Sequence, residues 1–217
     1  MTGLGCLAVA TAAFVGSHFL LSHPLRPGLV ARLGERKFQI LYSLVAIITF
    51  GIMIWCYRAL GRQVPLWSVA DAGWAAAAIL MWAASILLAG SFVGNPALPG
   101  APRVTAPSGV LSITRHPMMW SFAIWAAVHL ALVGTPKAML FDGAVLLLAL
   151  GGAAGQDAKK RRLMGSRWHE WASQTSYVPF GRGFKSPGLF ALIGGTLLFL
   201  GATWLHPLPV GIWRWIG

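Results

Sequence analysis

Residues 38–58, FQILYSLVAIITFGIMIWCYR, decide the class of fold: no charge interrupts them before Arg58. A helix of about 20 apolar residues crosses the ~30 Å hydrocarbon layer of a bilayer. Stretches of the same kind recur at residues 3–22, 70–92, 117–134, 137–155 and 188–205. The chain is 57% hydrophobic and 10% charged, so no sizeable polar domain is left over. The expected fold is an all-α integral membrane protein, one domain over residues 1–217. It has about six transmembrane helices and an amphipathic segment before the last. The first stretch has no basic residue ahead of it and runs into a Pro-Arg-Pro region with no Ala-x-Ala site, so it reads as a retained helix.

The formal net charge is +12. In a soluble protein that balance suggests nucleic acid, but here the Lys and Arg residues lie in the loops and act first on topology, so no nucleic-acid partner is expected. Most of them follow the first, third and fifth stretches. Arg58, Arg62, Lys137 and Arg214 are the exceptions. The positive-inside rule then places the basic loops in the cytoplasm, near anionic headgroups, and both termini outside. This is the expectation for a multi-pass protein of a bacterial-type inner membrane. Trp67, Trp204, Trp213 and Trp215 fall near span ends, where amphipathic rings anchor at the interface.

Cys6 and Cys56 occupy different stretches without Cys-x-x-Cys or Cys-x-x-Cys-His spacing. Neither a zinc site nor covalent haem attachment is indicated, and packing is the expected role of both. Walker, Rossmann and Gly-x-Ser-x-Gly motifs are absent from the sequence, which removes support for nucleotide hydrolysis and serine hydrolase chemistry. Gly151-Gly152 and Gly194-Gly195 read as points of close helix approach.

Two histidines, His18 in the first span and His129 in the fourth, stand where hydrocarbon is expected. Ionisable side chains at such depth are rare and functional by default, and imidazoles on two helices suit an axial metal or haem site. The alternative is that each merely bonds a helix carbonyl. His23 follows one turn after His18, beside Pro24 and Pro27, at the interface.

Ile113-Thr114-Arg115-His116-Pro117 opens the fourth span, with Thr114 or His116 as candidate caps and Arg115-His116 placed for a carboxylate or phosphate. His116 and His129 are about 20 Å apart along a helix, too far to share one small ligand. Residues 156–186 form the longest polar stretch. It carries Asp157, His169 and Glu170, and its Leu163, Trp168 and Trp171 are expected to share a membrane-facing side. The segment reads either as a surface helix or as a lid over a cofactor or lipid site.

These motifs in this order resemble the NnrU family, which includes the plant 15-cis-zeta-carotene isomerases. The elements are an intramembrane His followed by Leu-Arg-Pro and Gly-Glu-Arg, then Ile-Thr-Arg-His-Pro-Met, Trp125-Ala126-Ala127-Val128-His129, Asp157-x5-Leu163-x-Gly165 and Thr175-Ser176-Tyr177-Val178-Pro179-Phe180. The likeness covers nearly the whole chain. It implies a b-type haem (iron) with His18 and His129 as metal ligands and catalytic residues, and His23 as competitor for the first position. It also implies a hydrophobic polyene or other lipid-soluble substrate, and an electron donor. A cysteine of the plant enzymes is Ala126 here. Arg115, His116 and Asp157 are further cofactor-binding candidates, for a propionate or a headgroup.

Two other readings stay open. NnrU itself is associated with nitric oxide and nitrite metabolism, which a haem protein without turnover would serve. The Arg-His-Pro loop and the later acidic segment also resemble the isoprenylcysteine methyltransferase and sterol reductase superfamily, whose members hold S-adenosylmethionine or NADPH over a lipid.

Overall fold

The structure, a computed structural model, describes residues 3–96 and 106–216. Pro99, Pro102 and Arg103 of the third loop lie outside them. Helix α1 (Gly3–Ser22) ends ahead of Pro24, because proline has no N–H to continue the ladder. The loop expected next instead folds into a short helix, α2 (Arg26–Leu33), with Pro27 tolerated in its first turn. Gly34, at φ 77°, then breaks the chain before α3 (Glu35–Ala59).

Helices α4 (Asp71–Gly90), α5 (Val110–Ile113), α6 (Pro117–Val133) and α7 (Pro136–Met164) follow, then α8 (Ser166–Gln174), α9 (Leu189–Trp204) and α10 (Trp213–Ile216). Among the described residues four helices (α1, α3, α4 and α7) are long and apolar enough to cross a membrane, and α6 and α9 are shorter apolar helices. The chain is an all-α membrane protein.

Neighbouring helices pack in the order α3, α1, α7, α6, α4, α9. Successive apolar helices run in opposite directions, and the loop contacts show it. At one end Leu60 lies on Gly3, Lys137 Nζ donates to the Gly61 carbonyl and Trp67 Nε1 donates to Ala131 O at 2.7 Å. At the other end Lys160 Nζ donates to Pro96 O at 2.9 Å and Gly109 packs on the Pro187 carbonyl.

Close approach relies on glycine where expected. The Phe19 ring of α1 sits on Gly151, and the Ile86 backbone of α4 sits where any Cβ on Gly195 would have to go.

Two expectations change. Cys6 and Cys56 are joined in a disulfide, because α1 and α3 pack antiparallel and bring their Cα atoms to 6.1 Å. The segment after residue 155 is not a separate surface helix from its start. α7 continues to Met164, where Gly165, at φ 55°, breaks it. Leu163 is therefore on α7 and 64% exposed, whereas Trp168 and Trp171 of α8 turn inward onto Leu111 and Met164.

Candidate functional site

Asp157 stands on the part of α7 that outruns the hydrocarbon, and two neighbours on the α5–α6 connection close on it. Arg115 donates from Nε to both carboxylate oxygens at 3.0 Å and from Nη2 to Oδ2 at 2.6 Å. His116 Nε2 meets Oδ1 at 2.7 Å, and its Nδ1 meets Gln156 Oε1 at 3.1 Å. His116 is 2% exposed. A guanidinium fork on a carboxylate is a strong, oriented pair, and Asp157 within it is ionised.

A third strand of contacts comes from residues 175–180. Tyr177 O accepts from Thr114 Oγ1 and Trp120 Nε1, each at 2.8 Å, and Ser176 O accepts from Arg115 N at 2.8 Å. Thr114 thus ties two loops together, and no side chain caps α6. The Tyr177 ring stacks edge-on to His116 and lies under the Arg115 guanidinium. Burial, and the Asp157 carboxylate beside it, push its phenol up, so Tyr177 stays neutral at physiological pH. Of the acidic and imidazole groups expected in this segment, Asp157 is buried, while His169 and Glu170 are exposed on α8.

The structure therefore brings Arg115, His116 and Asp157 together, and they satisfy one another. His116 has both ring nitrogens engaged and Asp157 both oxygens. The cluster is a latch between α6, α7 and the 175–180 segment.

His18 and His129 share a different local geometry. His18 Nδ1 donates to Phe14 O at 2.8 Å, and His129 Nδ1 donates to Trp125 O at 2.8 Å. Each bond reaches back one turn on the histidine's own helix and fixes the tautomer. The lone pair is left on Nε2, and no hydrogen bond involves either Nε2 among the described residues. This is how a ligating imidazole is oriented, with one nitrogen held so that the other is free for a metal. Aromatic rings hold the imidazoles still: Phe14 and Tyr42 edge-on to His18, and Trp125 stacked on His129 at 4.1 Å.

A family model described as NnrU protein matches residues 6–214. The chain belongs to the NnrU family. No curated protein and no solved structure matches it.

In this NnrU protein the two histidines flank α7, on α1 and α6, and their rings make no contact with each other among the described residues. Phe19 on Gly151 and Met119 near Gly152 set the registers. With α1 parallel and α6 antiparallel to α7, the two Cα atoms lie about 12 Å apart along the bundle. Helical side chains lean toward their own N-terminus, and these helices oppose, so the lean shortens that offset along the bundle axis; across it α7 stands between the two helices, and His129 lies within electrostatic reach of His206.

The donor chemistry fits a haem. Two imidazoles, each with Nε2 available, are the donor set that would hold a haem iron, and among the described residues no group of three or more His, Cys, Asp or Glu could hold a metal ion. His23 fits less well. Its Nδ1 meets Ser22 Oγ at 2.7 Å and its ring lies against Gly155, nearer the basic end of the bundle than His18.

Asp142 was not among the candidates read from the sequence. It is a carboxyl inside α7, only 5% exposed, near the level of His129. Its signal was available: an acid within the 137–155 span is as unusual as the two histidines.

Proposed function

We propose that this NnrU protein binds a b-type haem with His18 and His129 as axial ligands and catalyses redox-gated cis–trans isomerisation of a polyene such as 15-cis-zeta-carotene. The observation that carries the reading is the matched pair of imidazoles, each with Nδ1–H on its own helix carbonyl and Nε2 free. Bound there, the haem would supply an iron whose ligation responds to its oxidation state. The chain's part is to present two oriented neutral imidazoles, to exclude water with apolar helices, and to admit an apolar substrate from the bilayer. Ala126, fully buried, offers no thiol beside His129. Arg115, His116 and Asp157 act as positioning residues that hold α6, and His129 on it, against α7.

A methyltransferase-like or reductase-like reading would use the Arg115–His116–Asp157 region for a soluble cofactor, but those groups spend their hydrogen bonds on one another. The visible spectrum of detergent-purified protein, oxidised and dithionite-reduced, tests the proposal. A Soret band with sharp reduced bands, lost in both His18→Ala and His129→Ala, is expected. A featureless spectrum after expression with ample haem sinks the haem. Nitric oxide binding to the reduced protein, with no turnover of a cis-polyene, would keep the haem and replace the isomerase by a nitric oxide role.

A further inference from the structure

The membrane-facing side expected of residues 156–186 is missing from α8. Its Trp168 and Trp171 are buried, and Arg167, His169 and Glu170 are among the polar residues it leaves exposed. Exposed apolar side chains appear instead in the connection that follows. Val178, Phe180 and Phe184 are exposed there, and Leu189 and Phe190 carry the series into α9. Phe184 is 87% exposed, and its ring stacks on that of Phe180 at 5.3 Å with only 7° between the planes. Single exposed apolar residues need no explanation, but a group of them marks a contact.

The backbone is built to present these rings. Phe180 has φ 59°, in the left-handed region that bulky side chains rarely adopt, and among the described residues no other non-glycine residue lies there. Phe180 N donates to Ile113 O at 3.1 Å, Gly181 N to Val178 O at 3.1 Å and Gly183 N to Phe180 O at 2.9 Å. Arg182 Nε adds a bond to Thr175 O at 3.2 Å. A disfavoured conformation persists where its surroundings over-determine it, and such positions gather at functional places.

Depth decides what the rings meet. Counting ~30 Å of hydrocarbon from Pro136 at about 1.5 Å per residue ends near residue 156. Asp157, Arg115 on its carboxylate and Ser176 on the Arg115 amide therefore mark the headgroup level. The next ring along the chain reaches below it: the Tyr177 hydroxyl stands 3.5 Å from Leu150 O, about 10 Å down α7 from Asp157. At its far end the connection packs through Gly188 on Gly109, just before α9 begins. Residues 178–188 are thus pinned at both ends along the boundary between headgroups and hydrocarbon.

Charge agrees with that position. Arg182 lies between the two phenylalanines in sequence and Lys185 follows them, and no acid occurs after Glu170. Aromatic rings flanked by cations are the composition of a segment lying in a bilayer interface. A water-soluble partner would have to cross the headgroups to reach the rings.

We propose that residues 178–185 dip into the leaflet at the basic end of the bundle, with the Phe180–Phe184 pair among the upper acyl chains and Lys185 at the lipid phosphates. The wedge depends neither on the haem reading nor on which way the bundle faces. With Cys6 and Cys56 in their disulfide, Phe184→Cys in the full chain offers one free thiol for a nitroxide label. In vesicles of phosphatidylglycerol and phosphatidylcholine, collisions of the label with oxygen, which concentrates in hydrocarbon, are compared with collisions with a water-soluble nickel chelate. The oxygen-to-nickel ratio at 184 should be several-fold higher than at Glu170→Cys on α8, and a label at Lys185→Cys should fall between the two. All three positions are exposed, so the substitutions leave the packing intact. Equal ratios at 184 and 170 overturn the wedge. A label at 184 shielded from both reagents means that protein covers the rings, which overturns the lipid assignment. Equal ratios at 184 and 185 overturn the placing of Lys185 at the phosphates.

Discussion

At the scale of single residues, Asp157 is heavily committed, taking hydrogen bonds from both Arg115 and His116. Its carboxylate and the Arg115 guanidinium are 9% and 13% exposed, and a buried pair that loses one partner costs about 3–5 kcal/mol because the other charge is stranded. Arg115→Ala should therefore destabilise by roughly 3 kcal/mol. It should also free the 175–180 segment, seen as faster amide exchange at Phe180, whose N–H donates to Ile113 O at 3.1 Å. Asp157→Asn, which keeps the shape and removes both charge-assisted bonds, should do less. Unchanged exchange in Arg115→Ala would mean that the segment is held by Thr114, Trp120 and the backbone bonds at Ser176 and Phe180, without the Arg115 side chain. The sequence made these residues visible as candidates but not their mutual saturation. Arg115 and Asp157 are 42 positions apart, and only the packing of α6 on α7 brings them together. The same separation explains why His18 and His129 are legible as ligands one at a time, through their depth, while their relation to α7 is not.

At the scale of elements, the apolar runs were readable because length and composition alone specify a membrane helix. The ends were less so. α2 formed within a Pro-rich stretch because proline is as good at a helix start as it is poor in the middle, and α7 ran past its apolar segment because the basic residues after 155 are good helix formers. The disulfide escaped reading because two isolated cysteines carry no spacing signal until the partner helices are known. Glycine at a helix crossing was legible, and the α4–α9 contact shows its cost. A methyl group at residue 195 would fall on Ile86 backbone, which cannot move without the helix. Gly195→Ala should lower stability by about 1–3 kcal/mol, measured as a drop in the detergent Tm. Gly201→Ala on the same helix, where a Cβ meets nothing, is the matched control and should hold Tm or raise it slightly. If both substitutions behave alike, the α4–α9 approach is looser than described.

At the scale of the whole molecule, the charge asymmetry and the position of the disulfide predict the same orientation. The end formed by Ser22, α2, Lys159–Arg162 and α8 carries most of the basic charge, and such loops stay in the cytoplasm. The opposite end carries the Cys6–Cys56 disulfide, one turn inside α1 and near the close of α3. Disulfides persist where thiols are oxidised, outside the cytoplasm. Charge acts during insertion, whereas a disulfide needs an oxidising compartment, so the two predictions rest on different physics. The predicted orientation puts the N-terminus, the α3–α4 connection and His206 outside. With Cys6 and Cys56 replaced by Ser, a cysteine at Gln63 should react with a membrane-impermeant maleimide on intact cells. One at Ser166 should react only after permeabilisation. The reverse pattern would show that the basic end faces outward.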